Sequence, residues 1–204
     1  MLEALIEGGR VSVYSIVVFL HVVGALGLFA GVGVEQLSFI NLRRADTNAQ
    51  ARDWLSVLVG MRRVDAPSGL TILATGFYMV AVRWGNQAWI GLALLGMILM
   101  AALSIGLTSR RAKATRSAVP GSDGPISSVL RGRLTDPALR TPAILRAATG
   151  LGIVFNMSVK PAAPGALAAM GVALALGAAV AFVSANGAER GSARIVALQR
   201  GDKT

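Results

Sequence analysis

Long apolar segments separated by clusters of basic residues dominate the pattern of this chain. With histidine counted as neutral, the segment 11–34 contains no charged residue over about 24 positions, and an α-helix needs only about 20 apolar residues to cross a bilayer. Later segments show the same character. We therefore predict five membrane-spanning helices in a single transmembrane domain, over residues 11–42, 66–82, 87–108, 142–159 and 165–184. The predicted fold class is an all-α integral membrane bundle.

The basic residues between these segments predict how the bundle is oriented. Sixteen Lys and Arg residues fall on one side of the predicted bundle, against Arg10, Arg83 and Lys160 on the other. Cytoplasmic segments of membrane proteins carry the excess of Lys and Arg. We therefore predict an external N-terminus and a basic cytoplasmic tail over residues 185–204, in a multi-pass protein of the bacterial cytoplasmic (inner) membrane. The acidic leader 1–10 predicts that the first helix is not a cleaved signal peptide.

The connecting segments predict three further features. Segment 50–63 alternates apolar and charged residues and predicts an amphipathic cytoplasmic helix lying on the lipid headgroups. Segment 109–141 contains Pro-Gly-Ser-Asp-Gly-Pro at 120–125 and predicts a flexible cytoplasmic loop. Asp65 precedes Pro67 and is interpreted as the N-cap of the second span, with an ion-binding role as the alternative.

Composition excludes several kinds of site and partner. The chain has no cysteine and one histidine, which excludes disulfides, iron–sulfur clusters and covalently attached haem. The net charge of +10 would favour nucleic acid in a soluble protein, but here the basic residues lie between apolar spans, so we predict no nucleic-acid partner. The spans contain no paired carboxylates and no serine–histidine–acid arrangement. The chain is therefore predicted to be non-catalytic rather than an enzyme.

One stripe of the first span collects its polar and small residues. A rotation of about 100° per residue places His21, Gly24, Gly27, Gly31 and Glu35 on the same side of that helix. These glycines let another helix approach closely, and Gly27 and Gly31 have the small-xxx-small spacing of membrane helix contacts. They are predicted to be helix-packing positions.

His21 has two interpretations. An ionisable group in the middle of a span is by default a candidate functional site, so His21 is a candidate cofactor-binding residue or metal ligand. Met97 and Met100, which we place near the depth of His21, are the candidate second ligands to haem or copper. The alternative is that neutral His21 hydrogen-bonds Thr71 or Thr75 on the second span. Methionine in an apolar helix is ordinary packing far more often than a ligand. The absence of a cofactor is therefore favoured over the presence of haem or copper.

Glu35 and Arg146 are predicted to form an intramembrane ion pair. They have opposite charges and similar predicted depths, and charges at that depth tend to pair. The pair is interpreted as a clamp between helices. A proton or ion path through Glu35 is the alternative, but it would need further polar groups across the outer half. Near the outer face, Asn156, Ser158 and Lys160 are interpreted as anchors for a helix end, with headgroup or anion binding as the alternative.

Three stretches carry a resemblance to known proteins. They are Phe-Leu-His-Val-Val-Gly at 19–24, Thr-Gly-Phe-Tyr at 75–78 and Gly-Ile-Val-Phe-Asn-Met-Ser-Val-Lys-Pro at 152–161. In this order they resemble a bacterial family of predicted integral membrane proteins known only as a domain of unknown function. The first stretch also resembles membrane families of copper resistance and of protoporphyrinogen oxidation, in which membrane histidines hold haem. A single histidine puts a two-histidine haem within one chain out of reach.

These observations give three hypotheses for function. The first is a non-catalytic accessory or structural subunit that packs through glycine-rich helix faces against a larger membrane complex or another copy of itself. The second is a haem- or copper-binding redox or transport protein that uses His21. The third is a small ion or solute transporter, which the scarcity of intramembrane polar residues disfavours.

Overall fold

A computed structural model describes residues 12–201, with side chains described for residues 12–186. Within these residues the chain is helical, and its β-structure is limited to an isolated bridge between Thr47 and Pro125. The α-helices are α1 Val13–Arg44, α2 Asn48–Gly60, α3 Arg62–Met79, α4 Ala88–Ala101, α5 Ser109–Ser117, α6 Ser128–Thr135, α7 Pro137–Val159 and α8 Ala163–Gly201. Two π-helical segments, Val80–Trp84 and Ala102–Thr108, extend α3 and α4.

Four helical segments of the described chain are long and apolar enough to cross a membrane. They are Val13–Arg44, Ala88–Ser117, Ser128–Val159 and Ala163–Asn186. Large apolar side chains on these segments point outward: Phe19 and Leu26 of α1, for example, are 65% and 66% exposed. Apolar surface of this extent is typical of helices that face lipid. The all-helical class and the multi-pass membrane character are therefore confirmed. The count of five stays a prediction, because α3 is not among the four.

Two helix groups form the membrane-spanning part. In the first, α1 packs on α3, and in the second, α7 packs on α4 and α8. Glycines bring the helices close in both groups. A Cβ atom at Gly24 would lie 3.0 Å from Ile72 Cγ1 on α3, and one at Gly177 would lie 2.6 Å from Ala148 Cβ on α7. The glycine-rich faces at these positions are therefore used inside the chain.

The connecting helices form a compact apolar cluster at one end of the bundle. Its buried members come from α1, α2, α5, α6, α7 and adjoining residues: Phe39, Leu42, Ala45, Ala51, Leu55, Leu58, Ala112, Val119, Leu130, Leu134, Leu139 and Ala143. The helix predicted over 50–63 exists as α2, and its buried apolar residues pack in this cluster. Its position on the lipid headgroups stays a prediction. Amphipathicity shows that a helix has an apolar face, but here that face meets protein rather than lipid.

The segment 109–141, predicted as a flexible loop, is largely helical instead, because α5, α6 and the start of α7 lie in it. Its turn segment 120–125 is tied to the α1–α2 connection. The backbone N–H of Asn48 donates to Gly124 O at 3.0 Å, and that of Ile126 donates to Asp46 O at 3.0 Å. Arg52 on α2 forms an ion pair with Asp123. A sequence rich in turn residues is thus fixed by partners far away in the chain.

At the opposite end, aromatic and basic side chains join the helix ends. Trp84 Nε1 donates to the Tyr14 hydroxyl at 3.2 Å, and its ring meets that of Trp89 edge to face with centroids 5.6 Å apart. Lys160 Nζ lies 4.1 Å from the centroid of the Trp84 ring. Gly85, at φ 61°, ends the π-helical segment in a conformation that favours glycine. Lys160 is left-handed too, at φ 52°, and closes α7.

The backbone of α8 continues beyond the predicted span 165–184 as far as Gly201. The side chains of the predicted tail from residue 187 onward lie outside the described residues, as does the predicted leader 1–10.

Candidate functional site

A buried triad of charged side chains links three helices. Arg146 on α7 is 2% exposed, and its Nη1 donates to Glu35 Oε2 on α1 at 2.8 Å. Its Nη2 lies 2.7 Å from Asp65 Oδ2 on α3. The side chains of Glu35 and Asp65 are 4% and 11% exposed. A single guanidinium therefore holds carboxylates from two other helices.

Small residues make room for this triad. Gly31 lies one turn before Glu35 on α1, and a Cβ atom at Gly31 would collide with Asp65 Oδ1. On α7, Ala143 and Thr149 lie one turn to either side of Arg146, and both are completely buried. The short side chains allow α1, α3 and α7 to approach at the level where the charges meet.

The structure thus brings together Glu35 and Arg146, which were predicted as a pair, and adds a third member that was assigned another role. The interpretation of Asp65 as an N-cap is wrong. α3 begins at Arg62, its N-cap residue is Met61, and no side chain forms a capping hydrogen bond there. Asp65 lies in the first turn, and its carboxylate binds Arg146 instead.

The three charged side chains are paired with one another, but two of their polar atoms have no hydrogen-bond partner among the described residues. The side chain of Arg146 uses both terminal nitrogens, whereas its Nε has no hydrogen-bond partner among the described residues. Asp65 Oδ1 is likewise buried without one. A buried polar atom left without a hydrogen bond costs about 1–3 kcal/mol. One donor and one acceptor therefore remain unmatched at the same junction of helices.

A cavity of about 390 Å³ reaches this junction. It lies between α3 and α4, with Asp65 and Arg146 among its lining residues. Its walls are mostly apolar: Leu28, Ala66, Gly69, Leu70, Leu73, Leu94, Met97, Ile98, Met100, Ala101 and Ile105. The remaining lining residues are Arg62 and Ser104. A mostly apolar cavity with a few polar groups at one place is the usual form of a small-molecule site.

His21 is hydrogen-bonded to one of its two predicted partners. Its Nδ1 lies 2.9 Å from Thr75 Oγ1, and the Thr75 hydroxyl donates to Thr71 O at 2.5 Å. Because that hydroxyl proton is already used, the Nδ1–H of His21 is the donor to Thr75. The imidazole also lies against Gly76, where a Cβ atom would be 3.5 Å from His21 Cε1.

Met97 and Met100 do not join His21. Both pack with Leu28 and Val32, and Leu28 lies seven residues, or about 10 Å, farther along α1 than His21. Within the described part of the chain, no three His, Cys, Asp or Glu side chains come together in a way that could hold a metal ion. Both methionines line the cavity instead.

The His21–Thr75 contact predicts a modest and mutually dependent effect on stability. We expect His21→Ala and Thr75→Val each to lower the free energy of unfolding by about 1 kcal/mol, the net contribution of one hydrogen bond. The double variant should lose clearly less than the sum, because both changes remove the same contact. Denaturation in mixed micelles measures all three values.

An absorption spectrum and metal analysis of the same proteins test the cofactor interpretation. We expect the three proteins to match the wild type, without a haem absorption band or stoichiometric copper. A band or metal that His21→Ala abolishes and Thr75→Val retains would contradict the hydrogen-bonding interpretation and identify His21 as a ligand.

The outer residues Asn156, Ser158 and Lys160 take different positions. Asn156 is completely buried, and its Nδ2 donates to Ala166 O on α8 at 3.3 Å. Ser158 is exposed. Asn156 therefore fastens α7 to the start of α8, beside the chain reversal that Lys160 completes.

Comparisons with protein-family models, with curated proteins and with solved structures each find no match. The resemblance carried by the stretches 19–24, 75–78 and 152–161 therefore stays a prediction.

Proposed function

We propose that this chain is a non-catalytic accessory or structural subunit that packs against a larger membrane complex. The observation that carries the proposal is a stripe of small side chains on the outer side of α8. The stripe consists of Ala168, Gly171, Ala175 and Ala178, all exposed. A Cβ atom at Gly171 would meet nothing within 4 Å. Helices pack closely in membranes where small residues recur every three or four positions.

The α8 stripe replaces the face predicted from the sequence. Gly24, Gly27 and Gly31 of α1 face α3, where Cβ atoms would meet Ile72, Ser68 and Asp65. They are therefore not free to receive a partner helix.

We also propose that the chain has five membrane spans and a cytoplasmic C-terminus. α3 has 18 residues and its π-helical extension has 5, enough at about 1.5 Å per residue to cross the hydrocarbon core. The charge of Asp65 within it is matched by Arg146. Trp84 and Trp89 lie at one end of the bundle, and most of the basic residues lie toward the other. This distribution favours the cytoplasm for the basic end, in a bacterial inner membrane.

Cysteine cross-linking in native membranes tests the proposal directly, because the natural chain contains no cysteine. We expect single cysteines at Ala168, Gly171 and Ala175 to give one cross-linked product of fixed mass. Leu176→Cys, on a neighbouring face of α8, should not give it. The mass of the product distinguishes a second copy of this chain from a different partner.

A bulky residue on the stripe provides the matched functional control. We expect Gly171→Leu to release the chain from its complex, and Val172→Leu, one position along, to leave the complex intact on native gels. A wild-type chain that migrates as a monomer, or equal cross-linking at Leu176 and Gly171, would contradict the proposal.

A further inference from the structure

A cleft at the basic end of the bundle brings two arginines together. It lies between α1, α7 and α8, with Arg43, Arg140 and Ser184 among its lining residues. The positive charge of Arg43 acts on the Arg140 guanidinium, so the two side chains are near enough to repel each other. Within the described residues, neither arginine forms an ion pair with a carboxylate. An anion in the cleft would relieve this repulsion.

The other polar groups of the cleft do not provide that anion. Asp136 is the one carboxylate among the lining residues, and its Oδ1 accepts from the backbone N–H of Ala138 at 2.8 Å as the N-cap of α7. The hydroxyls of Thr135 and Thr141 donate to carbonyl oxygens one turn earlier in the chain. The donors left for a ligand are the two guanidinium groups and the Ser184 hydroxyl. The lining thus keeps an excess of positive charge and of hydrogen-bond donors.

The size of the cleft limits what part of a ligand can enter it. Its volume is about 20 Å³, which is room for about one water-sized group. One oxygen of a phosphate fits this space, and the rest of the group stays at the mouth. The planar guanidinium groups suit phosphate oxygens, which they bind through two parallel hydrogen bonds. Arg140 Nε is buried, so this side chain is held in the wall of the cleft rather than extended into solvent.

The cleft lies where three helices are expected to leave the hydrocarbon core. The predicted spans of α1, α7 and α8 end at or within two residues of Arg43, Arg140 and Ser184. Phe182 and Val183, which precede Ser184 on α8, are 67% and 70% exposed, as expected of side chains that face lipid. Lipid headgroups lie just outside the hydrocarbon core. A phosphate that carries acyl chains can therefore reach the cleft from the bilayer, with its chains along this part of α8.

We propose that this cleft binds the phosphate group of an anionic phospholipid. Arg43 and Arg140 hold the phosphate oxygens from two helices, and the Ser184 hydroxyl donates a further hydrogen bond. Basic pockets between the cytoplasmic ends of spanning helices bind anionic lipid headgroups in this way. The site lies beyond the α8 stripe, toward the basic end of the bundle, and does not depend on the proposed accessory role.

Native mass spectrometry of the purified full-length protein in mild detergent tests the proposal by counting bound lipids. The probes are phosphatidylglycerol and phosphatidylcholine with the same acyl chains. Both contain a phosphate, but only phosphatidylcholine also carries a cation, which the two arginines repel. We expect the first molecule of phosphatidylglycerol to reach half occupancy at an about tenfold lower concentration than phosphatidylcholine.

Two consecutive arginines on α1 provide the matched comparison. Arg43 lines the cleft, whereas Arg44 is exposed and does not line it. We expect Arg43→Gln and Arg140→Gln each to raise the phosphatidylglycerol concentration at half occupancy by about tenfold, because each removes a charge-assisted hydrogen bond. Arg44→Gln removes the same charge at the same level of the membrane and should leave that concentration unchanged.

A substitution on α8 tests the site without removing a charge. Ser184→Leu fills the cleft, and we expect it to abolish the preference for phosphatidylglycerol over phosphatidylcholine. Val183→Leu, at the exposed neighbouring position, should retain the preference. This pair replaces the arginine variants if they do not fold.

Inorganic phosphate distinguishes a lipid from a free anion. We expect inorganic phosphate in excess to leave phosphatidylglycerol bound, because it lacks the acyl chains that lie along α8. Displacement of the lipid by phosphate would identify a free-anion site and overturn the proposal. Equal binding of the two lipids, or equal effects of Arg43→Gln and Arg44→Gln, would also overturn it, since the general positive charge of this end would then account for the binding. None of these results bears on the cross-linking of the α8 stripe.

Discussion

Replacement of Arg146 by methionine is expected to lower the free energy of unfolding by about 3–5 kcal/mol, as is typical when one partner of a buried ion pair is removed. The guanidinium holds carboxylates from α1 and α3 at 2.8 and 2.7 Å. Without it, Glu35 and Asp65 would remain together in a nearly dry environment with no cation between them. The contact between α7 and the α1–α3 pair would open. Unfolding in mixed detergent micelles, followed by circular dichroism, measures the loss.

Two further variants separate charge pairing from the loss of a large side chain. Arg133 is exposed on α6, and Arg133→Met should change stability by less than about 0.5 kcal/mol. The triple variant Glu35→Gln, Asp65→Asn, Arg146→Met should recover more than half of the loss, because no charge is left unpaired. A triple variant no more stable than Arg146→Met would show that packing, not charge, is responsible.

The contacts that could be predicted from the sequence are those fixed by depth in the membrane. A helix rises by a constant amount per residue, so counting from the ends of two spans indicates which residues lie at the same level. This reasoning paired His21 with Thr71 or Thr75 and Glu35 with Arg146. The structure places His21 on Thr75 and Glu35 on Arg146.

Depth alone does not predict which way a side chain points or how far one helix is shifted along its axis relative to its neighbours. Met97 and Met100 were placed at the level of His21, yet they pack beside Leu28 and Val32. Asp65 was misinterpreted because Asp-Ala-Pro is a strong local signal for a helix start. The helix begins earlier, at Arg62, and the role of Asp65 depends on Arg146, which is far away in the sequence. The signal that could have identified it is its charge, because a carboxylate at the end of a membrane span tends to pair with a cation.

The connecting segments show a second reason for failure. Considered alone, the amphipathic pattern of α2 is compatible with a helix on lipid, and the turn residues at 120–125 are compatible with a free loop. The structure differs because apolar residues from α5 and α6 pack in one cluster with Leu55 and Leu58. Each of these short helices looks weak when considered alone. Their stability comes from burying apolar surface together.

Gly31→Ala is expected to lower the free energy of unfolding by about 2 kcal/mol more than Gly33→Ala, within the usual range for inserting a methyl group into a packed interior. A Cβ atom at Gly31 would collide with Asp65 Oδ1, whereas one at Gly33 would meet nothing within 4 Å. Both substitutions gain the same helix propensity on α1, so their difference isolates the contact. To accept the methyl group, α3 must move away or Asp65 must rotate, and either change weakens the bond to Arg146.

A double-mutant cycle connects this effect to the triad. In the Asp65→Ala background the colliding oxygen is absent, so Gly31→Ala should cost much less than in the wild type. If Gly31→Ala cost the same in both backgrounds, the glycine would act only through the general approach of α1 and α3. The expected coupling would instead mean that Gly31 is small because Asp65 lies there. The packing of two helices and the pairing of three charges would then be a single feature of this fold.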